Sequence, residues 1–176
     1  TLGRLLQDEG RVDVLVNNAG ITRDGAFKRM APEQWFEVIH TNLCSLYNVT
    51  QPLFDAMCEQ RDARIINISS VNGQKGQFGQ VNYSAAKAGM LGFTKALAAE
   101  GARFGVTVNA IAPGYTATPM VEAIRSDILD SIKADIPMRR LAKPEEIAAA
   151  VAFLASEAGA YITGETLAIN GGLYMK

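Results

Sequence analysis

Arg64-Ile65-Ile66-Asn67-Ile68-Ser69-Ser70 is the stretch that decides the fold. It is near-continuously apolar, rich in isoleucine, and stops at two small hydroxyl residues. A strand with one wet face would alternate apolar and polar side chains. An unbroken apolar run instead predicts a strand covered on both faces, as in a parallel sheet. Three further runs have the same form. Val12 to Val16 leads into Asn17-Asn18, Val106 to Ile111 into Pro113-Gly114, and Thr166 to Ile169 into Asn170-Gly171-Gly172.

Helical patterns separate these runs. One starts near Pro32, with Glu33 at the positive end of the helix dipole. It carries Trp35, Ile39, Leu43 and Leu46 at helical spacing. Pro52 argues against its continuing unbroken to Gln60. A second covers roughly Asn82 to Glu100, with small alanine-rich faces. A third lies near Val121 to Ala134, after a proline-bearing loop. A fourth starts at Pro144-Glu145-Glu146 and stops near Gly159. Strands alternating with helices predict an α/β sheet with right-handed crossovers. In such sheets ligands sit beyond the carboxyl ends of the strands, where the polar and glycine-bearing residues above all fall.

Composition narrows the function classes. The 176 residues are 48% hydrophobic, enough for one core, and carry a formal charge of −1. No basic stripe is present, which excludes nucleic acid and anionic membranes as expected partners. No apolar run approaches the roughly 20 residues of a membrane-spanning helix, and no signal peptide opens the chain, so a cytoplasmic location is expected. Cys44 and Cys58 are about 21 Å apart along a helix, too far for a disulfide, and read as reduced thiols. His40 has no second histidine and no cysteine at ligand spacing, so no metal is expected. It reads as a surface or helix-packing residue.

The chemistry is carried by Tyr83-Ser84-Ala85-Ala86-Lys87, with Ser70 upstream. A tyrosine and a lysine four apart share one helix face. The ammonium beside the phenol favours phenolate, which predicts a Tyr83 pKa drawn toward neutrality and a general acid/base for carbonyl or alcohol chemistry. Taken singly, Asn18-Ala19-Gly20 and Pro113-Gly114-Tyr115-Thr116 read equally as turns. Asn42, a weak helix former, reads as a kink or as the holder of a water or a neighbouring lysine. Gly73, Gly76 and Gly79 follow a strand but lack the G-x-G-x-x-G spacing, so they read as a flexible segment beside the substrate and not as a phosphate cradle.

Together Asn17-Asn18-Ala19-Gly20, Asn42-Leu43, Ser70, Tyr83 with Lys87, Pro113-Gly114 and Asn170-Gly171-Gly172 resemble the short-chain dehydrogenase/reductase family in order and spacing. The resemblance covers essentially the whole chain and implies a single partial domain, 1–176. Its fold would be the C-terminal part of a Rossmann-like, doubly wound parallel sheet. Within the family, Ile68 through Gln80, Asn18 through Asp24 and Ile136-Pro137-Met138-Arg139-Arg140-Leu141 resemble the acetoacetyl-CoA reductases.

That resemblance implies NADPH-dependent reduction of acetoacetyl-CoA, of the polyhydroxybutyrate type. The alternatives are 3-oxoacyl-carrier-protein reduction and, in another class, an inactive oligomerisation or binding fragment. It implies Tyr83 as the acid, Ser70 on the substrate oxygen, Lys87 on the nicotinamide ribose, and Asn42 positioning a water that links Lys87 to solvent. Asn18, Ala19, Gly20, Ile21 and Thr22 would line the adenosine-ribose side of NADP. Pro113, Gly114, Tyr115 and Thr116 would hold its carboxamide end, with Thr118 near the phosphates. Asp24, Val71, Gln77, Phe78, Gly79 and Gln80 would contact the acyl-CoA, and the segment after Thr118 would be a lid. A homotetramer is also implied. Its helices from Pro32 and Asn82 would pack across one twofold, and the closing strand with the helix from Pro144 across another.

The family opens with a strand, the turn T-G-x-x-x-G-x-G and a helix that cradle the pyrophosphate. The chain begins at Thr1, in what reads as the end of a helix, and has no such motif. The expectation is an N-terminally incomplete chain lacking the first strands and the glycine-rich turn, on the order of 60–80 residues at ~30 per βαβ unit. Such a chain would expose the edge of a strand meant to be central and bind cofactor poorly.

Overall fold

A computed structural model describes residues 2–122 and 124–175, without the side chains of Met120 and Glu122. Helix α1 (Leu2–Glu9) leads into strand β1 (Val14–Asn17). Helix α2 (Pro32–Ile39) passes through a π turn at His40–Cys44 into α3 (Ser45–Gln60). Strand β2 (Ala63–Ile68) is followed by the short helix α4 (Val71–Lys75) and the long helix α5 (Val81–Gly101). Strand β3 (Val106–Pro113) leads to α6 (Pro119–Glu122), α7 (Ser126–Asp135) and α8 (Pro144–Ala155), and β4 (Thr166–Ile169) closes the sheet. The strands run β1-β2-β3-β4, each pair parallel.

Both faces are covered, which explains the near-continuous apolar runs. On one face Ile65, Val106 and Val108 pack with Leu53 and Met57 of α3 and Ala98 of α5. On the other, Ile66 and Ile111 pack with Leu154, Ile147 and Val151 of α8. This is the doubly wound α/β arrangement expected. Beyond the reach of α8, β1 forms one edge, with Val14 and Val16 each 40% exposed.

Buried amides tie the strand ends to the helices. The Asn17 Nδ2 donates to Asn67 Oδ1 at 2.9 Å and to Thr50 Oγ1 at 3.3 Å. Asn67 Nδ2 donates in turn to Thr94 Oγ1 at 2.9 Å. This chain holds β1 and β2 against α3 and α5, and buried networks with their bonds satisfied rigidify what they join.

Several helix expectations need correction. Pro52 does not break α3. Pro52 and Asn48, whose carbonyl it leaves without a helical donor, are both exposed, so water can serve that group. The irregularity lies instead at the π turn. The helix expected over Val121 to Ala134 is two, α6 and α7. That expected to reach Gly159 ends at Ala155, followed by a 3₁₀ turn at Glu157–Gly159. Gly73 stands within α4, so its segment is a helical turn packed on α5 and not a loose loop. The lid segment after Thr118 includes Ala123, which lies outside the described residues. Among the described residues no helix is long and apolar enough to cross a membrane.

Candidate active site

Ser70 lies one residue past Ser69 at the end of β2 and caps α4, its Oγ accepting the Asn72 N–H at 3.1 Å. Gly73 then lets α4 sit directly on α5. A Cβ at Gly73 would lie 2.7 Å from the Lys87 carbonyl carbon. Two bonds fasten Lys87 to the strand end: Ser69 Oγ donates to its carbonyl at 2.8 Å, and its Nζ donates to Ile68 O at 2.7 Å. Lys87 is 3% exposed, and its Nζ stands 5.6 Å from the centre of the Tyr83 ring.

Asn42 occupies the π turn, a helix irregularity often found at functional sites. Its amide closes both ways on Ile21, accepting the Ile21 N–H and donating to Ile21 O, each at 2.8 Å. Gly20 lies over this clamp. A Cβ there would come 3.3 Å from Asn42 Oδ1 and 3.5 Å from Lys87 Nζ. The loop after β1 is thereby held against α5 and the π turn.

Burial governs the electrostatics. Desolvation pushes the Tyr83 phenol above its ordinary value, a hydrogen bond with Ser70 pulls it down, and the Asp24 carboxylate raises it further. This corrects the expectation of a pKa drawn toward neutrality. Desolvation of the phenolate outweighs what holds it down, and Lys87 is itself lowered by burial to about 8. Burial likewise raises Tyr115, with Asp24 and Asp135 adding to it.

A cavity of about 570 Å³ opens between the carboxyl ends of β1–β3 and α8. It brings together Asn18, Gly20, Ile21, Thr22, Ser70, Tyr83 and Lys87. Pro113, Gly114, Thr116 and Thr118 close its far wall. A second cavity of about 250 Å³ adjoins it through Ser70 and Tyr83, and holds Asp24, Val71, Gln80 and Tyr115. Ala19 is exposed and lines neither, as does Asn42, which is buried behind the wall. Gln77, Phe78 and Gly79 also line neither; Phe78 is 90% exposed, and Gln77 accepts from Lys75 Nζ at 2.7 Å.

Sequence reading missed several residues. Ile147, Ala148 and Val151 of α8 floor the larger cavity, visible in the sequence only as an apolar helix face. Asn72 lines the smaller one. Asn82, fully buried beside Tyr83, donates to Arg23 O and Gln34 O at 3.0 Å each and accepts the Tyr83 N–H at 2.8 Å. It joins the β1 loop, α2 and α5 at one point. Polar residues at a helix start were the available signal, but an asparagine there reads as a cap.

Comparison with known proteins gives the family. A family model described as enoyl-(acyl carrier protein) reductase matches residues 1–174. The acetoacetyl-CoA reductase of Acinetobacter sp. (strain RA3849) is 70% identical over 95% of this chain and 67% of its own length. Nodulation protein G of Azospirillum brasilense is 62% identical over 98% of the chain and 70% of its own length. The 3-oxoacyl-(acyl-carrier-protein) reductase of Vibrio cholerae serotype O1 is 51% identical, over 98% and 71% respectively. With its parallel sheet, and with Ser70, Tyr83 and Lys87 converging beyond the strand ends, the chain belongs to the short-chain dehydrogenase/reductase family, oxidoreductases that use a nicotinamide cofactor.

Proposed function

We propose that residues 1–176 form one partial short-chain dehydrogenase/reductase domain, from an NADPH-dependent reductase of 3-oxoacyl thioesters, with acetoacetyl-CoA as substrate and 3-hydroxybutyryl-CoA as product. The observation that carries this reading is Ser70 and Tyr83 lining two adjoining cavities at once. The larger suits a nucleotide, and the smaller a short acyl chain. The names of several relatives, among them the acetoacetyl-CoA reductases of Allochromatium vinosum and Rhizobium meliloti, favour the CoA thioester.

The residues present fit the nicotinamide end of the cofactor. Gly20 leaves free the space over Asn42 and Lys87 that a Cβ would fill, and the buried Lys87 ammonium offers donors at the cavity wall. Lys87, with Asn18 through Thr22, would hold the ribose side. Pro113 through Thr116 would hold the carboxamide, and Thr118 would stand near the phosphates. When bound, the reduced cofactor supplies a hydride to the ketone carbon.

The chain's own groups handle the proton. Ser70 Oγ accepts the Asn72 N–H, and its O–H, hydrogen-bonded to Tyr83 here, would turn to the ketone oxygen when substrate is bound. Tyr83, kept protonated by its raised pKa, gives its proton to that oxygen as the alcohol forms. Lys87, near 8, is charged at neutral pH and can return a proton to the phenolate. The Asn42 side chain uses its oxygen and one N–H on Ile21, which leaves its second N–H to position the proposed water.

Asp24, Val71 and Gln80 would contact the acyl arm, as would Gln77, Phe78 and Gly79 once a substrate extends past the cavity mouth. A cytoplasmic homotetramer completes the proposal. Exposed Phe36, Tyr47 and Val81 would be covered at one twofold, and Phe153 and Tyr161 at the other.

Following NADPH oxidation by the full-length reductase with acetoacetyl-CoA and with an acetoacetyl carrier protein tests the reading. Turnover of the CoA thioester supports it. A strong preference for the carrier protein transfers the assignment to fatty acid synthesis, and absence of turnover with either favours a binding module.

A further inference from the structure

A strap of main chain, 138–142, joins α7 to α8 and runs beside the loop after β3. At Ala142 both of its edges are held. The Ala142 N–H donates to Tyr115 O at 2.9 Å, and its carbonyl accepts the Ala117 N–H at 2.8 Å, a parallel bridge opposite Thr116. In an extended chain the main-chain groups of the flanking residues point to the other edge. There Leu141 O accepts from Arg140 Nη1 at 3.0 Å, and the Lys143 N–H donates to Glu146 Oε2 at 2.7 Å. Arg140 and Glu146 close on each other, Nη1 to Oε2 at 2.7 Å and Nη2 to Oε1 at 2.6 Å. One edge of the strap thus grips the loop after β3, and a single ion pair grips the other.

Part of the strap stands off the sheet. A cavity of about 100 Å³, lined by Tyr115, Arg140, Ala142, Glu146 and Asn170 among others, lies between it and the ends of β3 and β4. Hydrogen bonds and the ion pair, more than packing, therefore set where Ala142 stands. Hydrogen bonds from Arg140 and from the Lys143 N–H hold the Glu146 carboxyl down to about 2, so the pair is charged at neutral pH. Both side chains are nearly half exposed, and such a pair contributes little to stability. What its two-pronged form supplies is geometry, which a lysine's point charge does not reproduce. The pair also ties the strap to the first turn of α8, whose Pro144 and Ile147 line the larger cavity together with Thr116.

We propose that Arg140 and Glu146 are positioning residues for the nicotinamide cofactor, holding the main chain on both sides of Ala142 so that Ala142 fixes Thr116 in the cavity wall. This rests on the proposed placement of the cofactor's carboxamide end against Pro113 through Thr116. Neither side chain lines the larger cavity, so each acts only through the strap.

The test uses the full-length reductase and has one readout that needs no cofactor. In Arg140→Ala, amide hydrogen exchange at Ala117 and Ala142 should quicken by about tenfold, with the strands unchanged. NADPH affinity, read by fluorescence titration, should fall by about five- to tenfold, the worth of one ordinary hydrogen bond. The Tm should stay within about 4 °C of native, as expected for an exposed pair. Arg140→Lys should resemble Arg140→Ala in all three, and serves if the alanine variant does not fold. Arg11→Ala, which breaks the exposed pair with Asp13 ahead of β1, should leave all three native. Native NADPH affinity in both Arg140 variants overturns the proposal, whatever the exchange shows. A large fall in Tm with faster exchange throughout the chain makes the pair merely structural and overturns it as well. If the native reductase binds NADH and not NADPH, the proposed cofactor fails instead, and NADH affinity in the same variants decides the inference.

Discussion

Gly73→Ala tests the contact that assembles the site. The added methyl would lie 2.7 Å from the Lys87 carbonyl carbon and 2.9 Å from both its Cβ and its oxygen. These atoms belong to the middle of α5, and none is the far end of a flexible side chain. Ordinary contact begins at 3.4 Å, so α4 and α5 must part by about 0.7 Å. Alanine inside a helix gains up to ~1 kcal/mol over glycine, but overpacking of this kind costs about 1–3 kcal/mol. The net is a destabilisation of about 1–2 kcal/mol, worth roughly 2–4 °C of Tm per kcal/mol in a chain of this size. Catalysis should suffer more. The same shift strains the Ser69 bond to Lys87 O and moves Ser70 from Tyr83, and misplacement by about 1 Å can cost ~100-fold in rate. The assay is thermal unfolding together with NADPH-linked turnover of acetoacetyl-CoA, with Gly3→Ala as control, since nothing lies within 4 Å of a Cβ there. Native Tm and native kcat in Gly73→Ala would refute the role given to this contact.

Three further outcomes are expected. In the full-length reductase, Tyr83→Phe should abolish turnover yet leave NADPH affinity, read by fluorescence titration, nearly unchanged; retained turnover would remove Tyr83 as the acid. Lys87 has its pKa lowered from 10.5 to about 8 by burial, so between those values the unfolded chain binds the extra proton. Stability should therefore rise with pH across that window, by on the order of 3 kcal/mol at most, and urea unfolding of Lys87→Met should lack this rise. Asn82→Ala removes, from a fully buried position, the side chain that donates to the Arg23 and Gln34 carbonyls and accepts the Tyr83 N–H. It should cost about 2–4 kcal/mol in denaturant unfolding, and a loss below ~0.5 kcal/mol would mean the three elements are held together by other contacts.

Much of the architecture was legible because burial on two faces writes itself into a strand. Ile65 and Ile66 point to opposite sides, and both had to be apolar once helices covered each side. Helix ends were less legible. Pro52 reads as a breaker on propensity alone, yet it stands where water can replace the lost bond. The π turn at Asn42 left no pattern, since one extra residue in a helical turn shifts the apolar period by less than an eye can follow over five residues.

The site divides in the same way. Ser70, Tyr83, Lys87 and the small residues of the strand ends are fixed by chemistry and spacing, and a linear reading finds them. Asn72, Asn82 and the apolar floor from α8 are ordinary residues until neighbours distant in sequence close around them. The pKa of Tyr83 belongs with these. A lysine one helical turn away argues for lowering it, but the desolvation that raises it exists only when the sheet, α4 and α5 shut out water. The sequence by itself determined the sheet type, the family and the candidate reacting groups, since these follow from local periodicity and residue chemistry. Only the tertiary structure decided the direction in which burial moves the Tyr83 pKa, the hydrogen bonds of the cavity amides and the closeness of α4 to α5, because each depends on burial and on contacts between segments far apart in the chain.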